Sequence, residues 1–147
     1  MDDDPYDLER FVAAQDYLGT YESAVAEMRN GRKLSHWMWF VFPQVAGLGA
    51  SPTSVRFAIS GLGEAGASLR HRVLGPRLIE CASVLLELEG TSAEEIFGAI
   101  DACKLRSSMT LFMRCAPDEK VFLWVLERYF GGLADVVTDQ RLEAGRA

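Results

Sequence analysis

The chain is poor in the residues that usually announce chemistry. It has two histidines, His36 and His71, and three cysteines, Cys81, Cys103 and Cys115. None of the cysteines forms a C-x-x-C pair, and two histidines with scattered thiols do not compose a zinc site. An odd, widely spaced set also argues against a disulfide framework and for free thiols in a reducing compartment. There is no Walker loop, G-x-G-x-x-G, H-E-x-x-H or G-x-S-x-G. No motif calls for a cofactor or a metal. No apolar run approaches the roughly 18 residues of a membrane span. The opening Met1-Asp2-Asp3-Asp4 is acidic, the opposite of a secretory leader. The expectation is a cytoplasmic protein without a membrane partner. A surplus of positive charge is missing as well: the formal net charge is −6, which argues against general nucleic-acid binding and leaves room only for a local basic patch.

What is present is enough for one domain. At 147 residues the chain can bury about 70% of its unfolded surface. With 49% hydrophobic and 24% charged residues it is globular rather than disordered. Its richest stretch is Ser35–Gln44, SHWMWFVFPQ. Each large aromatic hides about 150–250 Å² when buried, so a soluble fold has to be organised around this segment. Periodicity does not separate helix from strand where nearly every position is apolar. No other stretch supplies an obvious strand partner, and a short helix from Ser35 stopped by Pro43 is expected.

The remaining pattern is helical. Asp4-Pro5 reads as a cap and first turn, followed by Leu8, Phe11 and Val12 at helical spacing. Thr20 opens a second helix carrying Tyr21, Ala24, Val25 and Met28. Ser51-Pro52 starts another, while Gly61, Gly63 and Gly66 predict a weak helix at best over 60–68. Gly75-Pro76 opens a well-patterned helix to about Glu89. Ser92-Ala93-Glu94-Glu95 is a capping box for a short helix to Phe97. Asp101 is placed as the cap of a helix through Cys115, and Pro117 begins one ending at Gly131-Gly132. The tail from Asp135 is polar, expected to fray with at most one short helix. The fold expected is mainly α: a single irregular domain of about seven or eight short helices, with its core over about 5–132.

The candidate site comes from two segments. On the helix Asp101–Cys115, Asp101, Lys104 and Ser108 align along one edge of the apolar stripe, where they can line a polar pocket. An ordinary reading gives them a cap, a snorkelling lysine and a small packing residue instead. His36 and Gln44 flank the aromatic run. Trp37 or Trp39 would offer a stacking platform, worth about 1–3 kcal/mol for a base. Basic residues cluster at Arg29-Arg32-Lys33 and at Arg70-His71-Arg72 with Arg77, and convergence would let them neutralise a phosphate. Glu9, Glu64 and Asp101 are carboxylates available for acid/base work, although no spacing rule pairs them.

The strings Gly31-Arg32-Lys33, Ser35–Phe40 and Phe42-Pro43-Gln44 resemble the hallmark of a bacterial domain-of-unknown-function family whose members are sometimes labelled "calpastatin". Asp101 with Lys104-Leu105 and Ser107–Phe112 belongs to the same likeness, which spans Arg10 to about Asp135. The chain departs from it at Arg72, where the family usually has proline, and at Ser68, where it often has tyrosine. The resemblance implies a mainly helical fold and no known activity. Glu9 followed by Ala14-Gln15 is similar to a Glu…Ala-Gln helix motif of the NADAR superfamily, whose members are N-glycosidases acting on ADP-ribosyl or nucleotide-like substrates. That likeness implies a hydrolytic site.

Together these features point to a small-molecule-binding domain for an anionic nucleotide or ADP-ribose-like ligand. Trp37 and Trp39 would stack it, Arg32, His36 and Lys104 would hold phosphate, His36 or Gln44 would fix a polar edge, Ser108 would line the pocket, and Glu9 or Asp101 would act on an N-glycosidic bond. The alternative is a non-enzymatic interaction or dimerisation module in which the aromatic segment is core or a docking patch. Either a monomer or a homodimer is compatible with the sequence.

Overall fold

A computed structural model describes residues 3–145. Within them the chain forms helices α1 (Glu9–Asp16), α2 (Thr20–Arg29), α3 (Met38–Val41), α4 (Pro52–Arg56), α5 (Leu62–Arg70), α6 (Leu74–Glu87), α7 (Ala93–Cys115), α8 (Val121–Phe130) and α9 (Val136–Ala144), with a 3-10 turn at Tyr17–Gly19. There are no strands among the described residues. One parallel bridge joins Val45 to Ile59, and Ile59 N–H donates to the Gln44 carbonyl at 2.8 Å. The expected all-α domain is what forms.

Several starts follow from local chemistry. Ser51 Oγ accepts from Ser54 N–H at 3.1 Å at the head of α4, and Ser92 Oγ accepts from Glu95 N–H at 3.1 Å at the head of α7. Asp4 caps from a distance. Its carboxylate takes Leu8 N–H at 2.8 Å and Glu9 N–H at 3.0 Å, because Asp7, with φ 52°, breaks the chain before α1 can begin. The first helix therefore opens at Glu9 and not at Pro5.

α7 packs against α5, α8 and α9, and α6 against α2, α5 and α8. Gly98 splits α7: at φ 81° and ψ 164° it lies in backbone space open essentially to glycine alone. The helix resumes after it, so Asp101 sits inside a first turn and does not cap it. Gly75 serves a different need. A Cβ there would stand 2.1 Å from the Leu69 carbonyl oxygen, so the close approach of α5 and α6 requires its absence.

Two weak expectations gave way to packing. α5 forms despite its glycines, because Ala65 and Ser68 are buried and Glu64 is held in place. Glu64, 4% exposed, bonds Arg10 at 2.9 Å and Ser60 N–H at 3.0 Å, while Arg10 also donates to the carbonyls of Arg56 and Ala58. Its carboxylate ties α1 to the 56–64 connection. The tail, over its described residues, is one packed helix and not a frayed end. Asp135 caps α9 at Thr138 N–H (3.0 Å) and accepts from Ser107 Oγ (3.2 Å), and Arg114 pairs with Asp139 at 2.9 Å. The cysteines are free: Cys81 buried, Cys115 half-buried and Cys103 exposed.

Candidate functional site

The aromatic segment supplies one turn of helix, α3, and divides its side chains between two roles. Trp37 is completely buried, tilted against Phe42 at 6.4 Å and edge-on to Phe97 at 6.2 Å. Its indole N–H donates to Glu27 Oε1 at 2.9 Å. The same carboxylate accepts from Leu34 N–H, Ser35 N–H and Ser35 Oγ at 2.7, 3.0 and 2.6 Å. Partial burial pushes the Glu27 carboxyl up, but these four donors outweigh it and bring it down to about 2. Trp37 is thus a core hub, and the expected stacking role does not fit it: no face of its indole is open.

Trp39 is placed differently. It is half-buried, lies in the wall of a cavity of about 130 Å³ with Gln44, and carries the Lys104 ammonium 4.7 Å from its ring centroid. That ammonium pairs with Asp101 Oδ1 at 3.3 Å. The other oxygen of Asp101 pairs at 2.9 Å with Lys33, whose ammonium stands 5.2 Å from the Trp37 ring centroid. Lys33 is brought there by the turn after α2, where its N–H donates to the Ile96 carbonyl at 2.7 Å. Two ammonium groups share one carboxylate; the Glu27 carboxylate stands at the Trp37 indole that Lys33 faces, and Lys104 is the cation at Trp39. Cations over an indole face are themselves favourable, by about 0.5–2 kcal/mol depending on exposure.

The structure therefore joins Trp39, Lys104, Asp101 and Lys33 by direct contacts, and sets Gln44 beside Trp39 in the wall of a cavity that the three charged side chains do not line. Ser108 lies on the same face of α7. This face runs from Lys33 and Trp39 at Asp101 and Lys104 to the Leu62 carbonyl at Cys115. Its Oγ is fully buried without a hydrogen-bond partner among the described residues, so it does not reach a surface ligand directly. Arg32 and His36 are exposed, form no ion pair among the described residues and make none of the contacts that join Lys33, Asp101, Lys104 and Trp39. Glu9 lines a separate cavity with Arg70 and Arg72. Lys33 was visible only as part of a basic cluster, because nothing in a linear reading says which of three neighbouring cations a turn will aim inward. Glu27 carried no signal at all.

These features define a class first: an all-helical domain with one aromatic corner carrying two lysines and a shared carboxylate. The chain belongs to the family described as "Protein of unknown function (DUF1810)", which matches residues 5–142. It is similar to the crystal structure of the conserved hypothetical protein Rv1873 from Mycobacterium tuberculosis, at 52% identity and a TM-score of 0.92, covering 95% of this chain and 99% of that one. No curated protein matches the chain. Membership of a family of unknown function is thereby shown. The "calpastatin" label and the NADAR likeness gain nothing from these matches. No helix among the described residues is long and apolar enough to cross a membrane.

Proposed function

We propose that the corner formed by Trp39, Gln44, Lys104, Asp101 and Lys33 binds a small anionic, nucleotide-like ligand. The observation that supports this reading most is the pair of lysines on one aspartate, held against a half-open indole that also walls a cavity. Lys104 would meet a phosphate, and Trp39 and Gln44 would take a ring and its polar edge. The cavity of about 130 Å³ is smaller than the usual few hundred Å³ of ligand pockets, so it receives one group while the rest of the ligand lies along the corner. A hydrolytic extension follows the NADAR likeness. With Lys104 turned to the ligand's phosphate, Asp101 would stabilise positive charge at an anomeric carbon as the bond to nitrogen breaks. Water would then add to that carbon, and its proton would go to the departing base.

The test is a titration of ADP-ribose and of AMP followed by tryptophan fluorescence. Binding should change the emission, Lys104→Gln should weaken it by about tenfold, and Trp39→Phe should abolish most of the signal. An unaltered spectrum at millimolar ligand, or equal affinity in Lys104→Gln, refutes the site. If binding holds, release of free base from a glycosidic substrate, and its loss in Asp101→Asn, decides whether the site is hydrolytic.

A second reading, a self-associating module, draws on the exposed apolar side chains Leu133, Val136 and Val137 around the start of α9. Light scattering separates a monomer from a dimer.

A further inference from the structure

Glu9 and the run Arg70-His71-Arg72 take no part in the Trp39 corner, and they meet elsewhere. They line a cavity of about 750 Å³ between the N-terminal segment and the end of α5, with apolar surface from Tyr6, Leu8 and Ala67. Its charges are sorted by segment. Asp3, Asp4 and Glu9 come from the N-terminal side, and Arg70 and Arg72 from the α5 side.

Two of the polar groups have other work. Asp4 caps α1, and His71 Nδ1 accepts from Val73 N–H at 3.1 Å and Leu74 N–H at 3.3 Å at the start of α6. Asp3, Glu9, Arg70 and Arg72 remain, and none of them forms an ion pair among the described residues. Long, flexible side chains of opposite charge close on one another when they can reach. Here a space within the range of small-molecule sites lies between them. A simple anion entering it would meet the carboxylates of Asp3 and Glu9, and a simple cation the guanidinium group of Arg72; that of Arg70 lies back along α5, 3.1 Å from where a Cβ on Gly66 would stand. Only a molecule with both charges satisfies both sides.

We propose that this cleft binds a zwitterionic small molecule, its ammonium toward Asp3 and Glu9, its carboxylate toward Arg72 with Arg70 at the margin, and its apolar middle against Tyr6 and Leu8. Guanidinium and carboxylate groups match in shape, which favours a carboxylate at the arginine end. The site is independent of the Trp39 corner and stands or falls apart from it.

The experiment is calorimetric titration of the full chain with an ω-amino-acid series running from glycine to ω-aminooctanoate. Hexanoate and hexylammonium serve as single-ended controls. At least one member of the series should bind about tenfold more tightly than either control, and Arg72→Ala and Glu9→Gln should each weaken it about fivefold or more. Both residues are exposed, so the melting temperatures of the variants should match that of the parent. Absence of heat from every member at about 10 mM, equal binding of a single-ended control, or affinity unchanged in both variants overturns the proposal.

Discussion

At Glu27 one carboxylate collects two backbone N–H groups, a hydroxyl and an indole N–H, and so fixes the path of the chain from α2 into the aromatic segment. Replacing it with alanine leaves a buried indole donor unpaired and should cost about 2–4 kcal/mol in urea unfolding. Glutamine, which keeps the shape but loses the charge, should cost about 1–2 kcal/mol. The pH dependence follows from the depressed carboxyl. Its stabilisation is complete above the ordinary value of 4.5 and fades as the pH falls towards about 2, so the gap between parent and Glu27→Gln should shrink over that interval. A gap that stays constant with pH would mean that the hydrogen bonds and not the charge carry the effect. The same scale shows where sequence reading stops. Burial of the aromatic run was legible from composition. Which indole is sealed and which is half-open was not, because periodicity carries no information where every neighbour is apolar. Trp37 and Trp39 are separated only by the direction in which a single turn of helix points them.

Among the elements, caps and breakers were the readable features. Ser51-Pro52 and Ser92 start helices where their side chains can accept a backbone N–H, and Gly131 ends α8 in the left-handed conformation. What local chemistry could not show was packing that overrides propensity. α5 forms despite its glycines because Ala65 and Ser68 are buried and Glu64 is held by Arg10 and Ser60, and α9 is held by Ser107, Arg114 and Asp135 across a distance in sequence that no window spans. Two substitutions test this scale. Gly98→Ala must either strain the backbone or straighten α7, at a cost of about 1–3 kcal/mol. Gly75→Ala drives a methyl into the Leu69 carbonyl and should cost about 3 kcal/mol or more, with α5 and α6 forced apart. Thermal unfolding checks both, and a neutral Gly75→Ala would contradict the observed spacing of those helices.

For the molecule as a whole, class and domain were readable from length, composition and helical spacing, whereas convergence was not. Lys33, Asp101 and Lys104 meet because the turn after α2 docks on α7, and that is a property of the assembled core and not of any segment. The three thiols lie at three depths of this core. Burial pushes the Cys81 thiol up to about 12, and the half-buried Cys115 is also raised by burial, while Cys103 faces solvent. A maleimide should therefore modify Cys103 at once, Cys115 on local opening near Leu62 and Gly66, and Cys81 only when the whole core comes apart, with mass spectrometry counting the adducts. Modification of Cys81 ahead of Cys115 would contradict this order. Without any engineered label, the chain thus keeps a chemical clock of its own unfolding, one hand for each layer of the interior.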